Sequence, residues 1–148
     1  MPAVPHPDLA PLVGSWRLLS LGVTYPDTGE RVESYGPRPQ GRMILDPGGR
    51  IMFLMTKQDR RSPTTDNERA ELFNDMTAYT GLVRPDGPGR FITSVDLAWN
   101  PSWQGEQLRF FTLDRDRLTI RSPAQTHPSS GDRLFVGDLV WLREHPAA

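Results

Sequence analysis

The sequence predicts an all-β protein, an antiparallel β-barrel of eight to ten strands with one short helix between mid-chain strands. Gly14-Ser15-Trp16 opens a first apolar run behind a short N-terminal lead, short alternating segments then continue almost to the C-terminus, and one stretch has helical spacing. Strands at such regular spacing are typical of barrels and sandwiches. Several are partly apolar on both faces, which favours a barrel because sandwich strands more often keep one polar face.

The composition fits one small globular domain. The 148 residues suffice for a single core, which we expect to span residues 9–145 behind a disordered lead, residues 1–8. The formal net charge is -1 and no stretch concentrates one sign, so neither nucleic acid nor a membrane is expected as a partner. The chain has no cysteine and its N-terminus lacks a signal-peptide pattern, so we expect a cytoplasmic protein without disulfides.

Turn residues divide the first half of the chain into strands. The 15 prolines and 13 glycines predict many turns and few long helices. The strands predicted in this half are residues 16–25, 30–35, 42–45 and 50–55. Asp46-Pro47-Gly48-Gly49 marks the clearest hairpin between two of them. Asp8 is a candidate cap for one helical turn over residues 9–13.

One mid-chain stretch has the signature of a helix. Thr64 or Thr65 can cap it, and acidic Asp66 and Glu68 lie in its first turn, where the helix dipole favours them. The residues expected to share one face are Ala70, Phe73, Met76 and Thr77. We expect this helix to lie across a barrel mouth or on the barrel's side.

Strand character resumes after the helix and continues to the end of the domain. The later strands are predicted over residues 78–83, 91–99, 107–113, 117–121 and 133–143. Gly137 is a candidate bulge in the last of them. In the strand over 91–99, alternation places Phe91, Thr93, Val95, Leu97 and Trp99 on one face. The opposite face of that strand is expected to carry Ile92, Ser94, Asp96 and Ala98.

A series of motifs in fixed order resembles a known family. The motifs are Leu12-Val13-Gly14-Ser15-Trp16-Arg17-Leu18, Tyr35-Gly36 followed by Gly41-Arg42-Met43-Ile44, Gly48-Gly49-Arg50-Ile51-Met52, Ala78-Tyr79-Thr80-Gly81, Asn100-Pro101-Ser102-Trp103, residues 107–110, Asp116-Arg117-Leu118-Thr119-Ile120 and Leu139-Val140-Trp141. Over roughly residues 9–143 the chain resembles the bacterial and fungal lipocalin-like domain family. The resemblance implies a lipocalin-like antiparallel barrel with a central cavity. It implies no single activity and carries over no catalytic residue set.

The same resemblance implies a structural role for Trp16. In lipocalin-type barrels this tryptophan closes the floor, often stacked under an arginine from a late strand, and Arg143 or Arg109 is the candidate partner here. A cation over an indole face is favourable by about 0.5–2 kcal/mol.

Polar and aromatic residues on the predicted strands are the candidates for a cavity site. The predicted ligand-binding residues are Tyr35, Arg42, Met52, Phe73, Tyr79, Trp99, Trp103 and Arg109. Tyr79 and Asp96 are the candidate catalytic pair, with Asp96 acting as a base of raised pKa if it is buried. Of the three histidines, only His127 is placed to reach a cavity mouth. No metal-ligand spacing and no nucleotide-binding motif occurs, so neither a metal nor a cofactor is expected.

Three functions remain open at this point. The first is a barrel that binds a small apolar or aromatic organic molecule in its central cavity. The second is a cofactor-independent isomerase, cyclase or dehydratase of natural-product biosynthesis, which uses the cavity to restrict its substrate to a reactive conformer. The third is a structural or interaction module. We expect a monomer or a homodimer.

Overall fold

Eight antiparallel strands close into a barrel in the computed structural model, which describes residues 7–145. The barrel strands are β1 (Gly14–Thr24), β3 (Gln40–Leu45), β4 (Arg50–Thr56), β5 (Met76–Pro85), β6 (Arg90–Ala98), β7 (Gly105–Asp114), β8 (Arg117–Arg121) and β9 (Val136–Arg143). Each pairs with the next, and β9 returns to β1. A two-residue strand, β2 (Arg31–Val32), adds to the end of β1 outside the barrel. The predicted all-β barrel of eight to ten strands is confirmed.

The long first strand closes the barrel. β1 pairs with β3 over its first four residues and with β9 from Trp16 to Thr24. Leu18 and Ser20 of β1 face consecutive residues of β9, so Leu19 is the extra residue of a bulge. Such a bulge bends the strand and lets it serve both neighbours. The bulge predicted at Gly137 is wrong, because Gly137 pairs in register with Val23.

The hairpin of β3 and β4 forms around the predicted turn. The Asp46 carboxylate accepts a hydrogen bond from the backbone N–H of Arg50 at 2.9 Å, and Gly49 takes the left-handed conformation at φ 92°. Side chains alternate strictly along both strands. The inward, buried positions are Met43, Leu45, Ile51, Phe53 and Met55, and the outward hydrophobic positions are Ile44, Met52 and Leu54.

A single α-helix is present among residues 7–145, and it lies outside the barrel. The helix α1 (Asp66–Asn74) is capped as predicted by Thr65, whose hydroxyl accepts from the backbone N–H of Glu68 at 3.1 Å. None of its residues is buried. The predicted continuation of its apolar face to Met76 and Thr77 is wrong, because these residues begin β5 and pair with β4. No helix in this part of the chain is long and apolar enough to span a bilayer.

A bulge in β6 reverses the predicted alternation. Leu97 pairs with Thr80 and Val95 with the adjacent Gly81, so Asp96 is the extra residue. Asp96 and Leu97 therefore both face solvent, and Leu97 is 64% exposed. The predicted alternation over 91–99 is correct through Val95, where Phe91, Thr93 and Val95 share the buried face, and wrong beyond it.

One end of the barrel is sealed by Trp16. Its ring is fully buried, its indole N–H donates to the Leu12 carbonyl at 3.0 Å, and the Arg143 guanidinium lies 4.2 Å above it. Arg143 also donates to the carbonyls of Val13 and Pro11. The residues before β1 form a 3-10 turn, Ala10–Leu12, whose N-cap position is Leu9 in place of the predicted Asp8. The predicted disordered lead lies outside the described residues except for its last two positions, which belong to a turn.

Candidate functional site

A cavity of about 110 Å³ lies at the end of the barrel opposite Trp16. Its apolar wall comes from inward positions of five strands and from the connection between β8 and β9. The apolar residues of this wall include Leu21, Phe53, Met55, Ile120, Phe135 and Leu139. The cavity is partly open to solvent. Residues 122–135, which connect β8 and β9, fold back on themselves through a bridge between Gln125 and Phe135 and cover part of the barrel mouth.

Aromatic rings form one side of the cavity. Tyr79 stacks on Phe53 with ring centroids 4.7 Å apart, and Trp103 lies 6.1 Å from Tyr79. Trp103 ends the 3-10 turn Pro101–Trp103, whose start is capped by the Asn100 side chain accepting from the backbone N–H of Ser102. That turn directs the Trp103 ring inward, where it is only 6% exposed. His127 contacts Trp103 at 5.0 Å and completes the aromatic side.

Arg109 brings a buried cation to the cavity wall. Its side chain enters from β7 and is 7% exposed. The guanidinium donates to three neutral oxygens, those of the Leu108 carbonyl at 2.7 Å, the Gln125 amide at 3.1 Å and the Gln107 amide at 3.2 Å. Burial lowers the pKa of Arg109 because the charged form loses hydration, and the neighbouring Tyr79 hydroxyl opposes that shift. Burial likewise raises the pKa of Tyr79.

A chain of hydrogen bonds links three residues that border the cavity. The Tyr35 hydroxyl lies 2.9 Å from the Thr77 hydroxyl, which lies 3.0 Å from Nε2 of His127. The backbone N–H of Ser129 donates to Nδ1 of His127, so the neutral ring carries its hydrogen on Nε2 and donates to Thr77. The Thr77 hydroxyl hydrogen then remains for Tyr35.

Both ends of this chain are neutral at pH 7. Desolvation lowers the pKa of His127 from 6.5 to about 4, so its ring is uncharged at neutral pH. Burial raises the pKa of Tyr35, with the nearby Asp75 charge acting in the same direction. Among the described residues that line the cavity, Arg109 is therefore the one that carries a charge at pH 7.

Three predicted site residues lie on the outer surface, away from the cavity. Arg42 is exposed and pairs with Glu144 at 3.5 Å, and Met52 is 56% exposed because it faces outward on β4. Asp96 is turned outward by the β6 bulge and pairs with Arg50 at 3.0 Å. The hydrogen bond from Arg50 lowers the pKa of Asp96, opposite to the rise that a buried general base requires. The predictions that Arg42 and Met52 bind a ligand in the cavity and that Asp96 is a buried base are therefore corrected: all three side chains lie outside the cavity.

Phe73 and Trp99 lie just outside the cavity lining. Phe73 is 43% exposed on α1, and its ring is 6.3 Å from that of Trp99. The Trp99 indole N–H donates to the Phe73 carbonyl at 3.0 Å, which ties the helix to the end of β6. Trp99 stacks on His127 from outside, with centroids 5.4 Å apart. It therefore supports a lining residue without lining the cavity itself.

The structure brings four of the predicted residues together and adds others. Tyr35, Tyr79, Trp103 and Arg109 all border the cavity. His127, the one histidine expected to be able to reach a cavity mouth, also borders the cavity. Two lining residues, Thr77 and Gln125, are not among the predicted site residues. The sequence pattern places Thr77 on the helix face, whereas it lies in β5. Gln125 lies in a polar connection whose conformation has no local sequence signal. Within residues 7–145, no group of three or more metal-ligating side chains is placed to hold a metal ion.

The closed eight-stranded barrel, sealed by a tryptophan at one end and hollow at the other, defines a lipocalin-like barrel. The family model described as a lipocalin-like domain matches residues 13–144, and the chain belongs to that family.

The chain was also compared with solved structures and with curated proteins. Among solved structures, the crystal structure of Rv2717c from M. tuberculosis is similar at 13% sequence identity and a TM-score of 0.46. The match covers 95% of this chain and 99% of that one. No curated protein matches the sequence.

Proposed function

We propose that this protein binds a small apolar or aromatic organic molecule in the cavity opposite Trp16. The observation that carries the proposal is a preformed hollow of about 110 Å³ with aliphatic and aromatic walls and an opening to solvent. An apolar protein cavity of about 150 Å³ holds benzene, so the hollow suits a one-ring group, with further atoms of the ligand reaching the mouth. Transfer of such a group from water is favourable by about 25 cal/mol per Å² of apolar surface buried.

Tryptophan fluorescence tests this proposal directly. Of the four tryptophans in the chain, Trp103 lines the cavity, so a ligand in the hollow changes its emission. We propose titration with toluene, indole and naphthalene, followed by calorimetry for any compound that quenches. Wild-type protein that is folded by circular dichroism and binds none of a broad apolar panel contradicts the proposal.

Gly137 offers a variant that fills the cavity. It lines the hollow, and a Cβ added to it meets its nearest atoms, in Phe135, Ser122 and Leu139, at 3.5–3.8 Å, which is ordinary contact. Gly137→Val therefore adds volume inside the barrel and is expected to weaken binding about tenfold or more. Thr112→Val, on the exposed face of β7, introduces the same side chain outside and is the matched control. Equal affinity of the Gly137→Val protein and the wild type would place the ligand elsewhere.

A catalytic role in the same cavity is the second candidate. The observation in its favour is the hydrogen-bonded chain from Tyr35 through Thr77 to His127, which borders the cavity and can relay a proton. This chain supports a cofactor-independent isomerase, cyclase or dehydratase in which Tyr35, in place of Asp96, exchanges a proton with the substrate. Tyr79, beside Arg109, remains a candidate acid.

Proton exchange distinguishes catalysis from binding alone. In deuterated buffer, a catalytic barrel is expected to accelerate α-proton exchange in the enolisable ketone phenylacetone, as followed by NMR. Tyr35→Phe removes the hydroxyl and is expected to abolish the acceleration. Tyr25→Phe is the control, because Tyr25 also borders the cavity, where its ring lies 3.6 Å under the Arg133 guanidinium. Exchange equal to the protein-free rate removes the catalytic candidate and leaves binding untouched.

A further inference from the structure

The buried arginine of the cavity has no counter-ion. No carboxylate lies within ion-pair distance of Arg109 in the part of the chain that the structure describes, and its three hydrogen-bond acceptors are neutral. Several arginines on the protein surface do have a counter-ion. Those paired with a carboxylate at 2.6–3.2 Å are Arg31, Arg50, Arg69, Arg84, Arg90 and Arg133. Arg109 differs from every surface arginine in its burial: water does not solvate its charge, and no carboxylate among the described residues balances it.

Neutral donors lie beside this cation. The Tyr79 hydroxyl neighbours the guanidinium, and the Trp103 indole N–H is close enough to that hydroxyl to oppose the rise in its pKa. The same indole N–H is buried, and its approach to the Tyr79 hydroxyl falls short of hydrogen-bond geometry, as do its contacts with every other described residue. Buried donors of this kind are rare in folded proteins because each costs about 1–3 kcal/mol when unsatisfied. A cation, a hydroxyl and an unused N–H group thus meet at one wall of the hollow.

The lining has no negative group to balance Arg109. Its remaining side chains are apolar, hydroxyl, amide or imidazole groups, and the imidazole of His127 is neutral at pH 7. The two glutamine amides hold the guanidinium in place, so they explain its position. They do not compensate its charge.

We propose that the ligand is an anion, a small aromatic or alicyclic carboxylate whose carboxyl group binds Arg109 while its ring occupies the apolar hollow. This inference rests on the binding function proposed above and specifies its ligand. A planar carboxylate matches the fork of an arginine, and the hydrogen bonds so formed are charge-assisted. The Tyr79 hydroxyl lies within the same cluster and adds a neutral donor.

Charge balance favours a carboxylate over a phosphate ester. One buried guanidinium neutralises one negative charge. A phosphate monoester carries about −1.5 to −2 at pH 7, so it would bring excess charge into a poorly solvated site. The apolar walls around the rest of the cavity provide no second cation for it.

Matched ligands that differ only in charge test the inference. The probes are benzoate and 2-naphthoate, each compared with its primary amide and with the corresponding primary amine, which is a cation at pH 7. Affinities come from tryptophan quenching and calorimetry. We expect wild-type protein to bind each carboxylate about tenfold or more tightly than its amide and to bind the amines more weakly still. In ¹H–¹⁵N spectra, we expect the Trp103 indole resonance to shift more with carboxylate than with amide.

Substitution of Arg109 is the second arm of the experiment. Arg109→Met removes the charge and keeps most of the side-chain volume, so the preference for carboxylate is expected to disappear while affinity for the amide stays within about twofold. Arg117→Met, at an exposed position of β8, is the control and should retain the wild-type preference. If Arg109→Met does not fold, the wild-type comparison of acid with amide still decides the question.

The outcomes separate the two proposals. Equal wild-type affinity for acid and amide overturns the carboxylate assignment and leaves a cavity that binds neutral apolar molecules. Retention of the carboxylate preference in Arg109→Met overturns the assignment to Arg109. Binding of none of the probes, with the apolar panel also negative, overturns the binding function and this inference together.

Discussion

His127 stacks on Trp99 with ring centroids 5.4 Å apart and an interplanar angle of 28°, and Trp103 lies 5.0 Å from the same imidazole at a tilt of 56°. This aromatic environment excludes water from the imidazole, and the resulting desolvation lowers the pKa of His127 to about 4. The folded protein therefore holds His127 in its neutral form over a pH range in which the unfolded chain protonates it.

A pH-dependent loss of stability follows from this shift. Between pH 6.5 and 4 the unfolded state binds the proton and the folded state does not, so the free energy of unfolding falls as the pH is lowered. The shift corresponds to at most about 3 kcal/mol, reached near pH 4. Urea denaturation at half-unit pH steps measures it. His127→Gln lacks the titrating group, so its free energy of unfolding should change less between pH 6.5 and 4 than that of the wild type. Identical slopes would show that His127 titrates normally.

Thr77→Val is expected to destabilise the protein by about 1–3 kcal/mol. The substitution keeps the side-chain shape and removes the hydroxyl that joins Tyr35 to His127, so two buried polar groups lose their partner. Thr77→Ser retains the hydroxyl and loses one methyl group, so its cost should be about 1 kcal/mol or less. Chemical denaturation of the two variants compares them, and a valine variant as stable as the serine variant would argue against the hydrogen-bonded chain.

Arg143→Leu is expected to lower the free energy of unfolding by about 2 kcal/mol. It removes the cation above the Trp16 ring and the hydrogen bonds to the carbonyls of Val13 and Pro11. Arg117→Leu, at an exposed site, should change stability by less than about 0.5 kcal/mol. Because Arg143 lies at the sealed end, ligand affinity at the opposite end should not change. A fully stable Arg143→Leu protein would show that the floor is held by Trp16 alone.

Gly81→Ala is expected to cost about 1–3 kcal/mol, since the added Cβ would collide with the Ser94 carbonyl oxygen across the β6 bulge. Gly137→Ala is the matched control within a strand, because its Cβ would make only ordinary contacts. Thermal denaturation of the two alanine variants gives the comparison. Similar melting temperatures would mean that the bulge adjusts freely to a side chain at position 81.

The fold was predictable because its determinants are local. Gly48 and Gly49 mark a tight turn between two alternating strands, Thr65 caps the helix, and Trp16 follows a glycine at the start of the first long strand. Each of these signals acts within a few residues, so the sequence alone is enough to place it. The partner of Trp16 is not a local signal: the family resemblance implied Arg143 or Arg109, and the structure selects Arg143.

The site was less predictable because two long-range effects decide it. A bulge at Asp96 turns that residue and Leu97 to the same side, and nothing in the strictly alternating pattern of residues 91–99 marks the extra position. The connection between β8 and β9 folds over the mouth and brings in Gln125 and His127 from a segment with no hydrophobic period. Tyr79 and Arg109 occupy regular strand positions and line the cavity, while their roles in binding stay predictions.

The connection between β8 and β9, residues 122–135, supplies more than a quarter of the residues that line the cavity. Most of this connection does not pair with the strands of the barrel. The lining residues it contributes are Ser122, Gln125, His127, Ser129, Ser130 and Phe135. One part of the cavity lining is therefore carried by a stretch of sequence that contributes little to barrel closure. The connection can diversify, or be exchanged for that of another barrel, with little effect on closure, which makes it the place to engineer new ligand selectivity.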